Sequence, residues 1–261
     1  MTPVYFSASK WLSYLFLFYL ISACGDESSG GSGDSLGVSA SKAQLIKLNG
    51  AVYSLASNKL VRIDISSADQ PAITDEIELN FNAETLTTDG EALFIGSPRE
   101  VRSYQYKDGR LDFVDTSVRQ IRGKDPVVTD GNFAYSTVVT REWSAYGQSV
   151  NNGMAGSGDL YVYEIDAEKN ITELAFYPSI GYVKGLALWG KTLLICDPVD
   201  GLIQMDVTDS QLVEKVQQFN FVRCEDVLHL GNGHFATVGE EGIYQLVPYS
   251  ESNLAVISLA N

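Results

Sequence analysis

The chain has 261 residues, 45% of them hydrophobic, with 33 acidic against 18 basic side chains and a formal charge of −15. That is enough apolar material for a sizeable core, while so acidic a surface repels phosphate backbones and disfavours nucleic acid as a partner. Tyr (14) and Phe (11) are frequent, as half-buried strands prefer, and no apolar stripe at i, i+3, i+4, i+7 runs beyond the N-terminus, which points away from a helical fold.

In chain order, Lys10 is followed by Trp11 through Ala23, 13 uncharged and mostly apolar residues. A helix across a bilayer core needs about 20 such residues, so the segment reads as the apolar region of a signal peptide. It ends Ile21-Ser22-Ala23-Cys24, which resembles the bacterial lipobox: an aliphatic residue, two small residues, then Cys. The resemblance implies cleavage after residue 23 and acylation of Cys24 (palmitate among the acyl chains), giving a membrane anchor. An ordinary signal peptide and an uncleaved anchor are the alternatives. Losing Lys10 leaves 17 basic against 33 acidic residues, a balance of −16.

Residues 25–42, GDESSGGSGDSLGVSASK, are rich in Gly, Ser and Asp. They cannot bury a core and read as a flexible tether after the acylated Cys24. Gly25, rather than Asp, comes directly after Cys24. By resemblance to the sorting rule of enterobacterial lipoproteins, this implies the outer membrane of a Gram-negative envelope.

From residue 43 the chain repeats. The clearest copy has short strands at 183–189, 192–196, 202–207 and 211–219, with alternating apolar positions and turn residues between them, the signature of strands joined by hairpins. Five copies align on a turn glycine, Gly50, Gly90, Gly131, Gly190 and Gly231, at spacings of 40, 41, 59 and 41. The repeats run roughly 43–82, 83–123, 124–183, 184–223 and 224–261. Four strands per repeat of roughly 40 residues is the pattern of a β-propeller blade. The expected fold is all-β, a propeller of about five four-stranded blades over 43–261, behind the signal peptide 1–23 and the tether 24–42.

The third strands and their exits, LVRIDISSADQP and LIQMDVTDSQ, resemble the LVIVD-type repeat of bacterial surface proteins. That resemblance implies a propeller with no common enzymatic activity. Repeats two and five depart from it, with Tyr106 and Val247 where the pattern has Asp. Each blade has two apolar faces that only its neighbours can cover, so the ring closes or two blades expose a face. A strand within 36–41 is the one available closing segment, and its composition is poor for that task.

Candidate sites fall on the rim where first strands begin and second strands turn into third. The insertion 139–159 accounts for the 59-residue spacing and carries Arg141, Trp143 and Tyr146, residue types that anchor protein or glycan surfaces. It is either a binding loop or a flexible excursion. The position six before each marker glycine holds Gln44, Glu84, Asp125, Lys184 and Glu225, with Asp226 beside the last. These should ring the channel mouth. Acidic oxygens there could hold Ca²⁺, but Lys184 opposes a cation, so a self-paired, solvated mouth without metal is the expected arrangement. Cys196 and Cys224 fall on the same rim of neighbouring repeats, as a disulfide, which an exported protein favours, or as two separate buried thiols.

No catalytic residue can be named. His229 and His234 are the only imidazoles, and neither accompanies a nucleophile, GxSxG, HExxH or P-loop motif. The expected function is a non-catalytic, lipid-anchored envelope propeller presenting loops to a protein or glycan partner. The alternative is a secreted, metal-assisted propeller enzyme, a hydrolase or lyase, acting at the central channel.

Overall fold

The computed structural model describes residues 38–40, 45–56, 58–67, 69–97, 99–118, 126–140, 157–250 and 253–260. Cys24, Gln44, Asp125, Arg141, Trp143 and Tyr146 lie outside them, as do the signal segment and most of the tether.

The turn at each marker glycine sets the blades. Gly50, Gly90, Gly131, Gly190 and Gly231 all have positive φ, between +56° and +102°, a conformation that a side chain disfavours and a tight hairpin requires. In two blades the preceding residues complete the turn in the same way. Asp89 Oδ1 accepts from the backbone N–H of Glu91 (2.8 Å) and Ala92 (2.7 Å), and Thr88 Oγ1 donates to the Ala92 carbonyl at 2.6 Å. Asp130 and Thr129 repeat these bonds with Asn132 and Phe133. Thr-Asp-Gly is therefore a turn device, not a metal loop.

From each turn grows an antiparallel sheet, four-stranded in four blades and extended to five strands in blade four. A short strand β1 (Val38–Ala40) precedes them. Blade one is β2 (Leu45–Leu48), β3 (Ala51–Ala56), β4 (Lys59–Asp64) and β5 (Ala72–Glu78). Blade two is β6 (Thr85–Thr88), β7 (Ala92–Gly96), β8 (Glu100–Lys107) and β9 (Arg110–Val118). Blade three is β10 (Val127–Thr129), β11 (Phe133–Thr140), β12 (Ser157–Ile165) and β13 (Ile171–Gly181). Blade four is β14 (Leu186–Trp189), β15 (Thr192–Ile195), β16 (Leu202–Asp206) and β17 (Glu214–Phe219). Blade five is β18 (Asp226–Gly231), β19 (His234–Gly239), β20 (Gly242–Ser250) and β21 (Asn253–Ala260). The fold is the expected all-β propeller of five four-stranded blades.

Alternation along the strands sends neighbouring residues to opposite faces. In blade three, Val127, Ala134 and Val138 pack toward blade two with Phe94 and Val101, while Val128 and Tyr135 pack toward blade four with Leu188 and Leu193. Four buried clusters result, one between each pair of successive blades.

Every outer strand carries a one-residue bulge at an equivalent place against its partner: Thr74, Val114, Leu174, Val216 and Ile257, with a second irregularity in β13 nearer Gly181. Such a bulge bends a strand and re-aims the residues beyond it. The residue after the bulge reaches the next blade in three cases. Asp75 Oδ2 accepts from Leu111 N at 2.5 Å, Asp115 Oδ2 from Ile171 N at 2.8 Å, and Gln217 Nε2 donates to the Leu254 carbonyl at 3.3 Å. In blade three, where Ala175 stands there, Tyr177 Oη takes over and accepts from Val213 N at 2.9 Å. The outer strands are thus latched in series.

The series stops at blade five. The face it turns away from blade four carries Leu228 and Ile243, 54% and 50% exposed, and the outward face of blade one carries Leu45 and Ile73, 63% and 66% exposed. Among the described residues no buried cluster joins blades five and one. The upstream strand does not close this seam. β1 lies within the stretch expected to be tether, and it pairs antiparallel with β14, the innermost strand of blade four: Val38 opposite Leu188, Ala40 opposite Leu186. It also lies against β6, β10 and β18, so it occupies the propeller axis.

Candidate binding rim

The starts of the innermost strands and the hairpins between second and third strands share one rim, the upper rim. Three described members of the expected ring are held there by one device. Each donates its backbone N–H to a carbonyl at the far end of its own hairpin: Glu84 to Gly96 (2.9 Å), Lys184 to Cys196 (2.9 Å) and Glu225 to Val238 (2.8 Å). Equal register comes from equal spacing to the marker glycine.

Their side chains diverge. Lys184 Nζ pairs with Glu225 across blades four and five, and sits 5.7 Å from the Tyr182 ring centroid. Glu84 Oε1 accepts from Asn82 Nδ2 at 3.0 Å, and Asp226 Oδ1 from Val227 N at 2.5 Å. Two ring members thus pair with each other across blades, while Glu84 and Asp226 turn to neighbours in sequence. Among the described residues, no group of three His, Cys, Asp or Glu side chains comes together as metal ligands.

Cys196 and Cys224 form a disulfide with Cα atoms 5.2 Å apart, both fully buried. It joins the end of the β14–β15 hairpin to the segment leading into blade five. Beside it, buried Asp197 accepts three backbone N–H groups: Tyr182 (2.8 Å), Val199 (2.7 Å) and Asp200 (2.9 Å). These satisfy the carboxylate and tie the end of blade three to blade four. At Gly239 a Cβ would stand 2.1 Å from the Arg223 carbonyl, so only glycine allows that approach.

This corner also bears groups that motif reading passed over. Phe221 is 59% exposed, with ring centroids of Phe219 and Tyr244 each 6.3 Å away. Tyr244 donates to Glu241 Oε2 at 2.8 Å, and the adjacent carboxylate holds the phenol pKa above its ordinary value. Exposed Arg223 stands by, lining a hollow of about 130 Å³ with Pro198, Glu225, Gly239, Glu240 and Glu241. Small-molecule sites typically measure about 300–1,000 Å³, so this corner suits surface contact rather than enclosure. The exposure of Phe221 comes from the turn closed by Val222 N–H to the Phe219 carbonyl (2.9 Å), which turns Phe221 outward.

The two histidines lie away from this corner. His229 Nε2 accepts from Gly233 N at 3.2 Å and its ring stacks near Trp189 (6.2 Å), while His234 begins β19 on the opposite, lower rim. A wider hollow of about 430 Å³ opens on that lower rim between blades three and four, lined by residues including Phe133, Leu174 and Ser210. Among the described residues no helix is long and apolar enough to cross a membrane.

No family model matches the chain, and no curated protein matches it. Many solved structures are similar to it, and two of them illustrate the likeness. One is the crystal structure of a functionally unknown protein from Desulfotomaculum acetoxidans DSM 771, 14% identical, with TM-score 0.58 over 84% of this chain. The chain spans only 65% of that protein's length. The other is Kuenenia stuttgartiensis hydrazine synthase, 18% identical, with TM-score 0.53 over 81% of this chain and 69% of that one. At these identities the likeness is one of fold: a β-propeller built from successive four-stranded blades.

Proposed function

We propose that this chain is a non-catalytic, lipid-anchored propeller of the bacterial cell envelope, presenting its upper rim to a protein or glycan partner. The observation that carries the reading is the strand on the axis. β1 lies against the innermost strands of blades two to five, where a channel enzyme would need room for substrate. Binding then falls to the rim, and its best-braced part is the disulfide-linked corner with Phe221 and Arg223 exposed. An aromatic and an arginine on a rigid base suit a partner surface, and a disulfide suits an exported protein. The resemblance of Ile21–Cys24 to a lipobox supports the anchor, and Gly25 after Cys24 supports the address, the outer membrane.

The test is in cells. The wild-type chain should fractionate with outer membrane and take up labelled fatty acid, and Cys24→Ser should do neither. A photo-crosslinking residue at position 221 should trap one envelope component, and Arg223→Ala should reduce that yield. A stoichiometric metal ion lost on Glu84→Ala, or substrate turnover by the purified protein, would overturn the reading.

A further inference from the structure

We propose that the protein stands with its lower rim toward the bilayer and its upper rim, with the Phe221–Arg223 corner, away from it. This orientation rests on the proposed lipid anchor at Cys24, and β1 supplies the direction. β14 runs from the upper rim, where Leu186 lies near Lys184, to the lower rim, where Trp189 meets the Gly190 turn. β1 runs opposite to it, with Val38 beside Leu188 and Ala40 beside Leu186. The chain therefore rises along the axis from the lower rim to the upper, and an anchor upstream of Val38 pulls on the lower rim.

The tether length makes this a preference rather than a formality. Cys24 lies 14 residues before Val38. Fully extended, a chain of that length spans at most about 48 Å. To place the upper rim on the membrane, it would have to run outward across a whole blade, about 14 Å from innermost to outermost strand, and then climb the blade's height. That path takes up most of the extended length, and holding a chain so extended costs conformational entropy. The lower rim, where β1 begins, needs no such extension.

The same direction accounts for the placement of the long insertion. The β11–β12 hairpin, which carries the long insertion, has its open end on the upper rim, beyond the Thr140–Ser157 pair. The lower rim carries two-residue turns such as Gly190-Lys191 and Asp108-Gly109 and third-to-fourth-strand connections such as 207–213, none as long as that insertion. Two acceptors of different kind would otherwise compete for one face, the lipid and the partner; threading the axis assigns them opposite rims.

The experiment uses the full lipidated chain in vesicles of phosphatidylethanolamine and phosphatidylglycerol doped with a headgroup-nitroxide lipid. Single cysteines are placed on opposite rims of blade four, Lys191→Cys below and Asp200→Cys above, both at exposed turn positions, and each is labelled with a short-range fluorophore. The expected result is loss of fluorescence for the Lys191→Cys label, with the Asp200→Cys label near its intensity in nitroxide-free vesicles. Equal quenching, or stronger quenching above, overturns the orientation while leaving the anchor intact. Failure of the lipidated chain to float with vesicles, like its Cys24→Ser variant, overturns the anchor and the orientation together.

Discussion

Blade five has two faces of similar composition and opposite fate. Toward blade four, Phe235, Tyr244 and Leu246 are buried against Leu194, Leu202 and Trp189, and the contact is reinforced by the disulfide and the Lys184–Glu225 pair. Away from it, Leu228, Val238 and Ile243 are at or near half exposure. The same strands supply both sets at alternate positions. Alternation therefore makes a residue available for burial, and only a neighbouring blade buries it.

The largest expected effect breaks the comparison directly. Phe235→Ala should cost about 3–5 kcal/mol in urea unfolding, while Leu228→Ala should stay within about 0.5 kcal/mol. A comparable loss for Leu228 would mean that its face is covered in solution. Next is the covalent support of the closed seam. Converting Cys196 and Cys224 together to Ala removes a cross-link over 28 residues of sequence separation, and should lower stability by roughly 3–4 kcal/mol.

A pH dependence sharpens the contrast further. Tyr135 is buried in the seam between blades three and four, and burial pushes its pKa up to about 12, against the lowering effect of its 3.1 Å bond to Ser210. Below about pH 10, the ordinary tyrosine value, both states keep the proton and this group contributes no slope. Above it the unfolded chain ionises first, so stability falls as pH rises from about 10 to the folded value, by about 1–3 kcal/mol. Urea midpoints across that window should show the fall in the wild type and a flatter curve in Tyr135→Phe. Smallest is the exposed ion pair. Lys184→Ala should cost under about 1 kcal/mol, less in high salt; a larger loss would make the rim pair a main support of the closed seam.

Much of the fold is legible in the residues alone. The marker glycines announce hairpins because a positive φ has a chemical signature, and the expected strand spans lie within a few residues of those observed. The ring position is legible as a backbone register: Glu84, Lys184 and Glu225 occupy one equivalent place. Their pairing is not, because side-chain direction depends on neighbours 41 residues apart, as with Lys184 and Glu225. The bulges have no signature at all, since Thr74, Val114, Leu174, Val216 and Ile257 are ordinary strand residues. The extra residue shows only when two strands are laid side by side. Val38-Ser39-Ala40 reads as tether because so short a run of small residues buries little area by itself; its strand exists only because β14 offers a free edge on the axis.

By itself, then, the amino-acid order determined the repeat, the turn at each glycine and the two-faced blade, all of which depend on contacts or chemistry within a few residues. The tertiary structure alone decided which faces are covered, where the outer strands latch, and that the axis holds a strand. Those outcomes depend on which surfaces meet in space, and local sequence holds no record of that.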